Sequence, residues 1–206
     1  MKADLHCHTK LSDGTLGIDD IIILAKNENG RQAINDILSE ANITGYYYRP
    51  RIDIDLLLSL PPNDVMICTA CVAYWHYDDI EDITLKLFNH FKNNFYLEIQ
   101  NHNTEKQINL NKRIRDLSYK YNIPMIAGLD SHYIYPEDAE IRTAALESKG
   151  IRYEDEDGWY MDYPSDEECF ARFQAQVAHW PLVIQGSSLQ PLSCEHFVKR
   201  IATKRV

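Results

Sequence analysis

Residues 4–14 read DLHCHTKLSDG: two histidines one position apart, then a Ser-Asp-Gly turn. Alternate side chains of a β-strand point to opposite faces, so an extended Lys2–Thr9 puts Asp4, His6 and His8 on one face and Leu5 and Cys7 on the other. Paired imidazoles suit a divalent cation, and Asp13 in the following turn can add an oxygen ligand. A surface strand carrying two histidines explains the bare His-x-His equally well, so the rest of the chain must decide.

The chain has 206 residues, 45% hydrophobic and 25% charged, as expected of a globular domain with a substantial core. No apolar run approaches the length of a membrane span, the first residues hold no signal-like segment, and five scattered cysteines suggest no disulfide framework. These features predict a cytoplasmic protein without membrane contact. The net charge of −10 argues against a broad nucleic-acid-binding face. It does not argue against a pocket whose bound cations would attract a phosphate.

Apolar spacing predicts a helix over Leu16–Asn27, interrupted at Gly30 and resumed over Arg31–Glu40. Ile52–Leu60 reads as a short helix stopped by Pro61-Pro62, Asp64–Thr69 as a buried strand, Asp79–Phe91 as a helix and Phe95–Gln100 as a strand. Thr104-Glu-Lys-Gln107 is a capping box for a helix striped by Leu110, Ile114, Leu117 and Tyr121. Pro124–Leu129 reads as a strand, and Pro136 opens a helix that ends near Ser148 and Gly150. An acidic extended stretch follows to Tyr163, then a capping box at Ser165–Glu168. This alternation predicts an α/β domain over 1–176 with a largely parallel sheet or barrel. Residues 177–206, with four basic and one acidic side chain, form an unassigned tail.

Functional groups of parallel α/β folds gather where strands end. A metal-competent group follows each of the four expected strands: His6 and His8, then Cys71, then His102, then Asp130 and His132. Singly, Cys71 reads as a packed thiol, His102 as a solvated turn residue and Asp130 as a turn cap. Their joint placement points to one cluster. His76, His90, His179 and His196 lack that context.

DLHCHTKLSDG resembles the first motif of the polymerase and histidinol phosphatase (PHP) superfamily. AKNENG, GYYYRPRID, FYLEIQNHN and YNIPMIAGLDSHYIYPEDAE are similar to the PHP region of bacterial DNA polymerase III alpha subunits. The resemblance runs from residue 1 to about 175. It implies a distorted (β/α)7 barrel whose mouth holds up to three divalent ions, zinc, manganese or iron, and hydrolyses phosphoesters, in some polymerase-attached versions a DNA 3′ end. It implies metal ligation by His6, His8, Asp13, Cys71, His102, Asp130 and His132, with Asp13 and Asp130 central to catalysis, and association with a polymerase or replisome.

Two departures accompany the resemblance. A Thr-Asp-His motif and a later glutamate, expected ahead of AKNENG, do not occur, so the barrel is expected to be incomplete and its gap to fall near Asn27–Arg31. No segment resembles a polymerase palm. An amidohydrolase barrel would place a lysine at a strand end, and none stands there. The remaining rival is a PHP-like scaffold that serves a polymerase without catalysis.

Overall fold

A computed structural model describes residues 4–7, 21–46, 50–70, 74–75, 79–151 and 158–177, with 4–7, 166 and 177 described by backbone alone. Its elements run β1 (Asp4–Cys7), β2 (Ile21–Ala25), α1 (Glu28–Ile43), α2 (Ile54–Leu58), β3 (Val65–Thr69), α3 (Ile80–Phe91), β4 (Phe95–Gln100), α4 (Glu105–Tyr121), β5 (Met125–Gly128), α5 (Ala139–Glu147) and α6 (Asp166–Val177). The strands form one sheet in the order β1-β2-β3-β4-β5. The chain divides into two compact units, 1–98 with 113–125, and 99–112 with 126–206.

Two sequence expectations are corrected. Where the chain is described, the helix expected over Leu16–Asn27 is instead strand β2, antiparallel to both β1 and β3. Parallel pairing joins β3 to β4, so the sheet is mixed where a largely parallel one was expected. The reason lies in Ile21-Ile-Ile-Leu-Ala25. A continuous apolar run satisfies helical spacing and strand spacing alike, and its three β-branched residues favour the strand. With neighbours on both sides, β2 buries Ile21 and Ile23 almost completely.

The Asn27–Arg31 stretch is the cap and first turn of α1. Asn27 caps this helix by accepting from the Gly30 amide at 2.9 Å, and its own amide donates to Asp64 Oδ1 at 2.7 Å. The Lys26 amide meanwhile donates to the Asp64 carbonyl. Gly30 lies so close to that carbonyl that a Cβ would sit 2.0 Å from its oxygen. The AKNENG motif is therefore an anchor that ties the start of α1 to the entry of β3.

The other elements of this unit follow their sequence signals. Asp53 caps α2 by accepting from the Leu56 amide. Ile80, Ile83, Leu87 and Phe91 of α3 are buried, as are Leu57, Val65, Ile67, Phe95 and Leu97. His90 donates to the Leu60 carbonyl at 3.1 Å, a structural role.

In an open helix, Gly→Ala stabilises by about 1 kcal/mol. At Gly30 the sign should reverse: the clash with rigid backbone should cost about 1–3 kcal/mol in urea denaturation. A neutral or stabilising Gly30→Ala would refute the anchor.

Candidate metal centre

β4 ends at Gln100, and the next residues, Asn101 and His102, carry polar side chains inward. Burying them requires partners for their backbone. Asn111 of α4 begins the chain of partners: its amide donates to the Gln100 carbonyl and to Gln176 Oε1, each at 2.7 Å, while its oxygen accepts from Gln107 Nε2 at 2.9 Å. Gln176 of α6 in turn donates to the His102 carbonyl at 2.8 Å. The main chain of His102 is thus held by a fully buried amide relay.

Its ring is held as firmly. The side chain is 0% exposed, and the Trp159 ring lies 4.4 Å away, centre to centre. Nδ1 accepts the Tyr160 backbone N–H at 3.1 Å. Burial pushes the His102 pKa below the ordinary histidine value; Asp130 opposes that shift, and His132 and Arg172 add to it. The ring is accordingly neutral near pH 7. Among the described residues, Nε2 has no hydrogen-bond partner, and neither does either polar atom of the Asn101 side chain. Such orphaned groups cost about 1–3 kcal/mol each, and they gather where a ligand would be expected.

Asp130 and His132 follow β5. His102 Nε2 lies 3.8 Å from Asp130 Oδ2, and His132 Nδ1 lies 3.8 Å from Asp130 Oδ1. His132 Nδ1 is also 2.9 Å from the Asp130 backbone carbonyl. A carbonyl only accepts, so Nδ1 bears a proton, and in the neutral form of this half-exposed ring the lone pair lies on Nε2. Second-shell carbonyls orient metal-binding histidines in this way. The carboxylate of Asp130 is 29% exposed between the two rings.

A strap over residues 158–163 fixes these groups. Gly158 accepts from the Asn103 amide, Met161 accepts from the His132 and Tyr133 amides, and the Asp162 carbonyl accepts from the Ser131 hydroxyl. Gly158 has φ +85°, and a Cβ there would sit 3.0 Å from the Asn103 carbonyl oxygen. Arg172 of α6 grips the Asp162 carboxylate with two hydrogen bonds of 2.8 and 2.7 Å, reaches Glu168, and lies 4.2 Å over the Tyr160 ring. Its guanidinium is therefore committed to the strap and is not a free anion clamp.

Of the seven expected ligands, the structure brings His102, Asp130 and His132 together within one unit. His6 is described by its backbone, opposite Ile22 in the sheet. His8, Asp13 and Cys71, like the tail from 178 onward, lie outside the described residues. Among the described residues, no set of three or more His, Cys, Asp and Glu side chains is arranged to hold a metal ion. The strap residues Trp159, Tyr160 and Asp162 escaped the sequence reading. The aromatic run Trp159-Tyr-Met-Asp-Tyr163 inside an acidic stretch was the available signal, whereas nothing in the sequence ties Asp162 to Arg172 ten positions later.

Comparison with known proteins now bears on this site. Residues 19–102 match the PHP domain family. That match begins after the His-x-His segment and ends on His102. DNA polymerase III subunit alpha of Borreliella burgdorferi is 36% identical over 128 residues, covering 58% of this chain and 11% of that protein. Its counterpart in Aquifex aeolicus is 27% identical over 176 residues, covering 78% and 15%, and that of Thermus aquaticus is 29% identical over 161 residues, covering 73% and 13%. The chain thus spans a small fraction of the length of these relatives. The described elements are mixed α/β, and residues 19–102 are similar to the PHP domain family. No described helix is long and apolar enough to cross a membrane.

The Arg172 pair yields a stability prediction. Arg172 holds the Asp162 carboxyl below the usual aspartate range, against the opposing effect of burial. A depressed folded pKa contributes stability that is present above the unfolded value, about 3.9, and is lost as pH falls through the lower folded value. Asp162→Ala should cost about 3 kcal/mol at pH 7, since both side chains are at most 10% exposed. The variant should also lose less stability than wild type when acidified below about pH 4. Equal acid profiles in thermal melts would show that the pair does not form.

Proposed function

We propose that this chain is a metal-dependent phosphoesterase module of PHP type, working in the cytoplasm with a replicative polymerase and acting on a phosphoester such as a DNA 3′ end. The observation that carries this reading is the Asp130–His132 pair. The Asp130 carbonyl orients the His132 ring, and both side chains are left accessible. An anionic oxygen beside a neutral imidazole is a donor set suited to zinc, manganese or iron.

The family resemblance assigns ligand roles to His6, His8, Asp13, Cys71 and His102 as well, in a distorted barrel that lacks part of the family's strands. When bound, such ions supply Lewis-acid polarisation of a phosphoryl oxygen and an activated water. The chain's own residues do the rest. His132 keeps its ring fixed through Nδ1–H, Asp130 contributes the charge that holds a cation, and Trp159 covers a face of His102. The relatives' printed names support a place beside DNA polymerase III alpha.

A second reading, a PHP-like scaffold without turnover, has one observation in its favour: the sequence lacks the Thr-Asp-His motif and the glutamate expected ahead of AKNENG. Metal content and activity separate the two. Protein purified without chelator should carry at least one zinc, manganese or iron ion per chain. Manganese-loaded protein should hydrolyse a simple phosphodiester or trim single-stranded DNA from its 3′ end. Asp130→Asn keeps the shape and removes the charge, so turnover should fall by orders of magnitude with the melting temperature nearly kept. Turnover no higher than that of the Asp130→Asn protein, with every substrate, would leave the scaffold.

A further inference from the structure

The two histidines beside Asp130 stand in opposite hydrogen-bonding states. His132 gives its Nδ1 proton to a carbonyl and offers an Nε2 lone pair. His102 does the reverse: Nδ1 receives the Tyr160 N–H, so that nitrogen is unprotonated. A neutral imidazole holds one proton, which therefore sits on Nε2. That Nε2–H lies 3.8 Å from Asp130 Oδ2 and has no hydrogen-bond partner among the described residues.

We propose that His102 is a positioning residue, a hydrogen-bond donor that sets the Asp130 carboxylate, and not a ligand of the cation. The inference rests on the metal reading of Asp130 given above. Ligation through Nε2 would need its lone pair, and hence either an imidazolate or loss of the Tyr160 bond. Losing that bond is opposed on every side. Trp159 lies against the ring, Gln176 holds the His102 carbonyl, and the Asn103–Gly158 bond closes the strap next to it. The 3.8 Å gap exceeds hydrogen-bond range, so the proposed contact requires Asp130 to move closer. Such contacts are commonly long in the free protein and tighten on loading. With Oδ2 held by His102, Oδ1 is the oxygen left for a cation beside His132.

The experiment reads the rings directly. Long-range proton–nitrogen NMR of protein carrying 15N-labelled histidine, before and after zinc is added, should show His102 as the Nε2–H form in both states. His132 Nε2 should move to a metal-coordinated shift. Zinc affinity, read by competition with a chelating dye, should stay within about threefold of wild type in His102→Gln, whose amide N–H can stand where Nε2–H stood. In His102→Asn, which cannot reach that position, affinity should drop about 10–100-fold, the usual effect of losing a second-shell partner. An Nδ1–H form of His102 in the free protein, a coordinated His102 Nε2, or equal losses in Gln and Asn variants would each overturn the inference while leaving zinc on Asp130 and His132. Zinc that binds nowhere would instead refute the metal reading, and with it the purpose given to this donor. The wild-type spectra decide even if a variant does not fold.

Discussion

The candidate site depends on a single backbone contact, the Tyr160 N–H pointing at His102 Nδ1. A ring nitrogen that accepts cannot also carry a proton, so this contact determines what the opposite nitrogen does. It leaves Nε2, 3.8 Å from Asp130 Oδ2, as the proton-bearing nitrogen of the buried ring, and it requires the strap to lie where it does. The strap in turn stays in place through Asp162 and Arg172, through Ser131, and through the Met161 carbonyl that receives the His132 amide. Removing the strap would release both histidines.

In the other unit the comparable constraint is a close approach. Asn27 and Asp64 bring the first turn of α1 against the entry of β3, and only the missing side chain of Gly30 lets the backbones meet. The motifs that carry the family likeness thus divide by purpose. AKNENG and the Asp53 cap serve the fold, whereas the segments following β4 and β5 serve the site.

Much of this was legible in the sequence because the signals were local. Capping residues located α4 and α6, with Thr104 accepting from the Gln107 amide and Ser165 from the Glu168 amide. Pro136 and Gly150 bounded the α5 region, and β4 fell on its expected residues. The exception, β2, is a run whose apolar residues fit both periods, and only its pairing with β1 and β3 settles the matter. At the site, residue type and position at strand ends identified Asp130, His132 and His102 as neighbours. The distinction between a ligand and a donor was not legible, because it turns on a backbone N–H from a segment 58 residues away. A protonation state has no sequence signature.

The central claim is that a cation sits on Asp130 and His132 with His102 behind it. Anomalous diffraction at the zinc edge, from crystals of the full chain grown with zinc, locates the ion without reference to activity. The account predicts a peak about 2.0–2.2 Å from an Asp130 oxygen and from His132 Nε2, with His102 Nε2 outside bonding range. A peak bonded to His102 Nε2, or zinc bound elsewhere with Asp130 and His132 bare, would contradict it.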